Sequence, residues 1–250
     1  MKLSAKLVVL LLSLTLFSCA SDGSFDAGKA VAVGAGVAQA VTLDENSVKQ
    51  AASLAAKEMD SKTQVAADSS PYAQRLNKLV AGVQSYRGLQ LDFKVYIAPD
   101  VNAFAMADGT VRVYSGLMDA MPDDQVLAVI GHEIGHVYNK HSYEQMQKRI
   151  LTDSAFQAVV SVGGTVGDLT EGQLGQIAYT AVNAQFSQRD ELESDTFAVR
   201  MLHDLGKDPY AMKRAIETLQ AKFGSGGSFL SSHPSNAARV ERIQSAINKL

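Results

Sequence analysis

The sequence predicts an α+β fold, mostly helical, with a small antiparallel β-sheet beside one helix that carries a metal-binding pattern. Three observations predict it. Most of the chain beyond residue 42 repeats apolar residues at helical spacing. One alternating segment, Leu91 to Ile97, is followed by a hairpin signal, which makes a small sheet rather than a large one. Finally, the apolar run Ile130-Gly131-His132-Glu133-Ile134-Gly135-His136-Val137 sets two histidines one helical turn apart. With 250 residues and 46% hydrophobic content, the chain supports one sizeable domain with appendages. The net charge of -3 and the absence of a basic run exclude a nucleic-acid footprint.

The first element is a leader. Lys2 and Lys6 precede an apolar run from Leu7 to Phe17, which ends at Ser18-Cys19. This run is too short to span a bilayer, so residues 1–18 read as a secretory signal peptide. Leu16-Phe17-Ser18-Cys19 resembles the bacterial lipobox, which makes Cys19 the expected site of lipidation, with palmitate among its acyl groups. Cys19 is also the sole cysteine, so no internal disulfide is expected. Residues 19–42, rich in Ser, Gly and Ala, read as a flexible tether, and the folded domain is expected at 43–250.

Within the domain, Asp44 caps a helix through Met59, with Val48, Ala52 and Ala55 inward. Pro71 sits in the first turn of a second helix, burying Leu76, Leu79, Val80 and Val83 and ending at Gly88. Leu91 to Ile97 alternates as a half-buried strand closed by Pro99. Asn102 to Met106 and Val111 to Tyr114 flank Asp108-Gly109 as a hairpin. Pro122-Asp123-Asp124 opens the metal-motif helix with acid at its positive end, and that helix is expected to continue past Tyr138 toward Arg149. Ala155 to Gly167 is apolar, then glycine-rich. A further helix runs from about Gln173 through Leu205, broken near Ser187, and another starts at Asp208-Pro209. Gly224 to Ser228 is a loop. Ser232-His233-Pro234 leads into a final helix with Val240, Ile243 and Ile247 inward.

The chemistry begins with His132 and His136, whose imidazoles leave one helix face and can share one ion. Glu133 projects about 60° around the helix from His136, within reach of a water on that ion. Zinc suits two neutral imidazoles in a tetrahedral site with one open position, but a catalytic zinc needs a third protein ligand. His141 is the local candidate. The metzincin spacing would put that ligand at 142, which is Ser, and a glycine at 139, which is Asn, so His141 reads as structural. In Arg189-Asp190-Glu191-Leu192-Glu193-Ser194-Asp195, Glu191 and Asp195 share a face one turn apart. One carboxylate can bind zinc while the other supports a ligand histidine; Glu193 points elsewhere, toward solvent.

His-Glu-Ile-Gly-His, followed fifty residues on by Phe186-Ser187-Gln188-Arg189 and Glu191-x-x-x-Asp195, resembles the gluzincin endopeptidases of the HtpX, Oma and CAAX-protease type. Asn102 to Met106, Gly116-Leu117-Met118 and His233-Pro234 fit the same resemblance, which covers roughly Ser61 to Ile247. It implies a mostly helical zincin-like domain holding one Zn2+ through His132, His136 and Glu191. It also implies a metalloendopeptidase in which Glu133 is the general base for a water whose pKa falls to about 7 on zinc. Asp195 is then an orienting group for His132 or a proton donor. His233 is an oxyanion stabiliser, a fourth ligand or a plain loop histidine. Resemblance further implies that Asn102, Ala103, Phe104 and Ala105 form an edge against which an extended substrate pairs. The expected substrates are unfolded or misassembled polypeptides, cut as part of protein quality control. The expected location is the periplasmic face of the outer membrane, reached through the lipid, with envelope proteins as further partners. The competing expectation is a zinc-binding periplasmic chaperone or assembly factor with little proteolysis.

Overall fold

The computed structural model describes residues 44–152, 165–224, 228–235 and 237–250. The expected leader, Cys19, the tether, the apolar stretch through residue 164 and the middle of the Gly224–Ser228 loop lie outside the described residues.

Helix α1, Glu45–Lys62, starts where Asp44 accepts the Ser47 amide at 2.8 Å, and it buries Val48, Ala51, Ala52, Ala55 and Ala56. Helix α2, Pro71–Leu79, is capped by Ser70. It stops short of the expected Gly88, because Gly82 has a φ of 84° and the chain continues through turns.

The sheet contains β1 (Asp92–Tyr96), β2 (Ala103–Ala105) and β3 (Thr110–Tyr114) in the order β1-β3-β2. The β2–β3 hairpin forms at Asp108-Gly109, where Gly109 adopts a φ of 92° and the Asp108 side chain accepts the Thr110 amide. β1 pairs with β3 in parallel, so the sheet is mixed, not purely antiparallel as expected. A two-residue period reports which face is buried, not which neighbour a strand takes. Tyr96, placed on the polar face of β1 by alternation, is 1% exposed, because α1 covers that face and Asp60 accepts its hydroxyl at 2.7 Å. Asp60 also takes Arg112 Nε and Nη2 at 2.9 Å each and Lys94 Nζ at 2.7 Å, tying α1 to the sheet.

Helix α3 (Ser115–Ala120) leads to α4 (Asp123–Tyr138), which is buried without interruption from Gln125 to Val137 and forms the axis of the domain. α4 ends at Tyr138 and does not continue toward Arg149. Lys140 turns the chain with a φ of 65°, and α5 begins afresh at His141 and runs to Thr152. The break expected near Ser187 is present: α6 is Glu171–Val182 and α7 is Gln188–Asp204, each opened by a capping box, at Thr170 and at Ser187. Helices α8 (Ala211–Phe223), α9 (Ser228–Ser232) and α10 (Ala237–Ile247) complete the domain. One apolar core joins the sheet to α4, α7, α8 and α10; a second lies under α1, α5 and α6. Among the described residues no helix is long and apolar enough to cross a membrane.

Candidate active site

The site exists because α4 and α7 approach each other closely, and two glycines permit it. A Cβ on Gly131 would stand 2.6 Å from Met201 Cε and 3.3 Å from Ala198 Cα. On Gly135 it would stand 2.9 Å from Ser194 Cα and 3.1 Å from the Ser194 carbonyl. The missing methyl groups let the backbones touch and bring Glu191 and Asp195 of α7 onto the histidine face of α4.

His132, His136, Glu191 and His233 converge, all buried, with one donor atom of each lying within 4.8 Å of the others. Zinc bonds of about 2.0–2.1 Å in a tetrahedron place donors roughly 3.3–3.4 Å apart. The observed spacings are 3.1 Å between the two Nε2 atoms of His132 and His136, 3.5 Å from His132 Nε2 to Glu191 Oε2, and 3.4 Å from His136 Nε2 to Glu191 Oε1. These residues fit zinc in both spacing and donor type. Asp195 Oδ1 lies 2.9 Å from His132 Nδ1, which leaves Nε2 as the free lone pair. His233 Nδ1 sits 3.0 Å from Glu191 Oε1 and 3.3 Å from His132 Nε2. Its Nε2 faces Glu133 Oε1 at 3.5 Å, and its ring stacks on Phe229. Phe186 stacks on His136 with ring centroids 3.7 Å apart.

Charge is balanced by a residue that the sequence reading missed. Arg239 of α10 is fully buried and donates Nε and Nη2 to the two oxygens of Asp195, at 2.8 and 2.6 Å. Its Nη1 stands 2.8 Å from Glu191 Oε2 and donates to the His233 carbonyl at 3.0 Å. The signal was legible as spacing: Arg239 shares a helical face with buried Ile243 and Ala246. Burial works against the Asp195 carboxylate, yet Arg239 holds it below the usual range. Burial likewise opposes the Glu191 charge, but the facing His233 and His132 hold its pKa far down. Burial would depress His132, but the Glu191 charge and the Asp195 hydrogen bond outweigh it and raise its pKa to about 9. Burial lowers His136 and raises Glu133. Glu133 Oε1 is buried and makes no hydrogen bond, its neighbour His233 Nε2 standing off at 3.5 Å, so an acceptor faces the donor cage unsatisfied.

Asp195, with both oxygens engaged, is placed to orient His132. Asn102 to Ala105 lie at the outer strand of the sheet, but this edge is not bare, since Ala103, Phe104 and Ala105 are all buried. Ser142 donates its hydroxyl to the Ala105 carbonyl at 3.1 Å. Beside that strand lies a small cleft lined by Met106, Met146, Ile177, Ala181 and Phe186, with Gln145, Arg149 and Thr180 also in its wall. Glu193 is half-exposed and pairs with Arg189, and its other oxygen approaches His141. His203 is exposed at the end of α7.

Residues 69–247 match the family model described as peptidase family M48. Metalloprotease LoiP of Escherichia coli K12 is 39% identical over 98% of this chain and 96% of its own length. Metalloprotease YcaL of the same strain is 37% identical over 93% of this chain and 92% of its own. The β-barrel assembly-enhancing protease of that strain is 28% identical over 60% of this chain and 33% of its own.

Proposed function

The chain belongs to peptidase family M48 and is a zinc-dependent metalloendopeptidase; from that premise we propose that it works in the cell envelope on unfolded or misassembled polypeptides. The observation that carries the chemistry is the buried Glu133 oxygen, without a hydrogen bond and 3.5 Å from His233, beside four converging donors. His132, His136 and Glu191 would hold the ion. Zinc, when bound, supplies Lewis acidity, making a water acidic enough to attack at neutral pH and polarising the scissile carbonyl. Glu133 Oε1 takes the proton of the attacking water as its oxygen bonds to the carbonyl carbon. It then delivers that proton to the amide nitrogen as the C–N bond breaks. Burial raises the pKa of Glu133 above the usual carboxylate range, the direction that strengthens it as a proton acceptor.

Asp195 and Arg239 keep the His132 ring and the Glu191 carboxylate in place. His233 stands between Glu133 and the donor cage, where it serves as a fourth donor or, once it swings aside, as a hydrogen-bond donor to the oxyanion. A substrate strand would add beyond β2 once the residues covering Ala103 to Ala105 give way, Ser142 releasing the Ala105 carbonyl, and would set an apolar side chain toward the Phe186 cleft. The envelope assignment is supported by the leader pattern and the lone Cys19, which would carry the lipid anchor to the periplasmic face of the outer membrane. A relative whose name ties it to β-barrel assembly agrees with misassembled envelope proteins as substrates.

Metal analysis paired with cleavage of casein, before and after chelation, tests the enzyme. One zinc per chain and cleavage restored by zinc are expected. Zinc binding and capture of unfolded chains without cleavage would favour the chaperone reading. Cys19→Ser is expected to move the protein from the membrane fraction to the soluble one; unchanged membrane association removes the lipid anchor.

A further inference from the structure

The two ligand histidines are held by different partners. His132 gives its Nδ1 hydrogen to Asp195, while His136 reaches His141, which the sequence spacing reads as structural. We propose that His141 is a positioning residue for the metal site: its Nδ1 accepts the Nδ1 hydrogen of His136 and so fixes the tautomer and orientation of that ligand. The inference rests on zinc being the resident ion.

His136 Nε2 faces the donor cage, 3.1 Å from His132 Nε2 and 3.4 Å from Glu191 Oε1. An imidazole that offers Nε2 to a metal carries its hydrogen on Nδ1. That Nδ1 lies 3.1 Å from His141 Nδ1, in surroundings where His136 is 0% and His141 5% exposed. His141 then holds its own hydrogen on Nε2. There Glu193 Oε2 stands at 3.3 Å and Asp190 Oδ1 at 3.8 Å, and Arg189 Nε grips the second Glu193 oxygen at 2.8 Å. Ser194 Oγ also lies near His141 Nδ1, at 3.4 Å, farther than His136 Nδ1 at 3.1 Å.

The backbone is bent to make this contact. In one continuous helix His141 would lie about 140° around the axis from His136, facing away. The left-handed Lys140, with a φ of 65°, breaks the helix and folds the first residue of α5 back onto the last turn of α4. A lysine in that conformation carries a steric penalty that glycine would avoid. The contact between the two Nδ1 atoms is what the bend produces.

The test is a zinc titration of the zinc-stripped full chain against a chromophoric chelator, for the wild type, His141→Leu and His141→Asn. Leucine keeps bulk without an acceptor, whereas the asparagine oxygen stands near the place of Nδ1. His141→Leu is expected to bind zinc roughly 10–100-fold more weakly. His141→Asn is expected to stay within a few-fold of the wild type. In histidine-labelled 15N NMR of the zinc-loaded chain, the His136 Nδ1 hydrogen should be protected in the wild type and in His141→Asn, and exchange freely in His141→Leu. A role in folding alone would lower the melting temperature of the zinc-free chain without moving these readouts. Unchanged affinity in His141→Leu, or equal loss in both variants, overturns the inference. Should His141→Leu not fold, finding no Nδ1 hydrogen on His136 in the loaded wild type overturns it as well. A wild-type chain that binds no zinc fails at the first titration and takes the metal reading down with it.

Discussion

Arg112 and Arg239 are both buried and each clasps an aspartate, yet one network closes on itself and the other does not. Arg112 donates to both oxygens of Asp60, to Asp92 and to two backbone carbonyls, and Asp60 is further filled by Lys94 and Tyr96. Nothing is left over, and the cluster fastens α1 to the sheet. Around Arg239, Asp195 is equally satisfied, but Glu133 Oε1 and Glu191 Oε2 have His233 and Arg239 nearby without an aligned hydrogen bond. A buried network that satisfies every atom stabilises a fold, whereas one that keeps spare acceptors in a dry place is set up to hold something else.

The largest effect that would test this contrast is on catalysis. Glu133→Gln is expected to lower kcat/KM on unfolded protein by about 10²–10⁴-fold with zinc content unchanged. Asp60→Asn should leave kcat per folded molecule intact. Full cleavage by Glu133→Gln would remove Glu133 as the base.

Stability comes next. Arg239→Met strands the buried Asp195 carboxylate and should destabilise the zinc-free chain by roughly 3–5 kcal/mol in urea unfolding. Arg112→Met should cost less, because Asp60 is only half-buried and keeps Lys94 and Tyr96. Zinc should restore part of that loss for Arg239→Met alone, because the ion brings positive charge beside Glu191. Equal responses to zinc would erase the distinction between the clusters. In the wild type, free zinc at a hundred times its Kd should add about 2.7 kcal/mol to unfolding, and chelation should reverse it.

The smallest effects are in pH, and they run in opposite directions. Although burial opposes it, the pKa of Asp60 is held down to about 2 by Arg112, Lys94 and Tyr96. Its contribution is present above its unfolded pKa near 3.9 and is lost as pH falls through about 2. It amounts to no more than about 1–2 kcal/mol after solvent screening. His132 in the zinc-free chain is shifted upward, to about 9. Its contribution is complete below about pH 6.5 and is lost as pH rises through 9. Zinc must displace that proton, so zinc affinity should climb across the same interval; a flat profile would contradict the charged His132.

The helical period made the pairing of His132 with His136, and of Glu191 with Asp195, legible, because a shared face follows from spacing alone. The Asp108-Gly109 hairpin was equally readable, since few dipeptides tolerate that turn. The mixed sheet was not, because strand neighbours are chosen by long-range packing. Arg239 escaped because charge on a helix usually marks solvent, and only its register with Ile243 and Ala246 argued otherwise. His141 was judged by ligand spacing, which carries no information about a helix that stops at Lys140. The role of Gly131 and Gly135 in helix approach shows only once α7 is in view.

Those two glycines also bear on when the enzyme becomes active. Each lowers the intrinsic helicity of α4 by about 1 kcal/mol relative to alanine, so the segment gains its shape from the neighbour it receives. That neighbour arrives late: Asp195 lies 63 residues and Arg239 107 residues beyond His132. A chain still emerging from the ribosome therefore owns the histidines but no finished blade, and the cutting centre assembles only after α7 and α10 have been made.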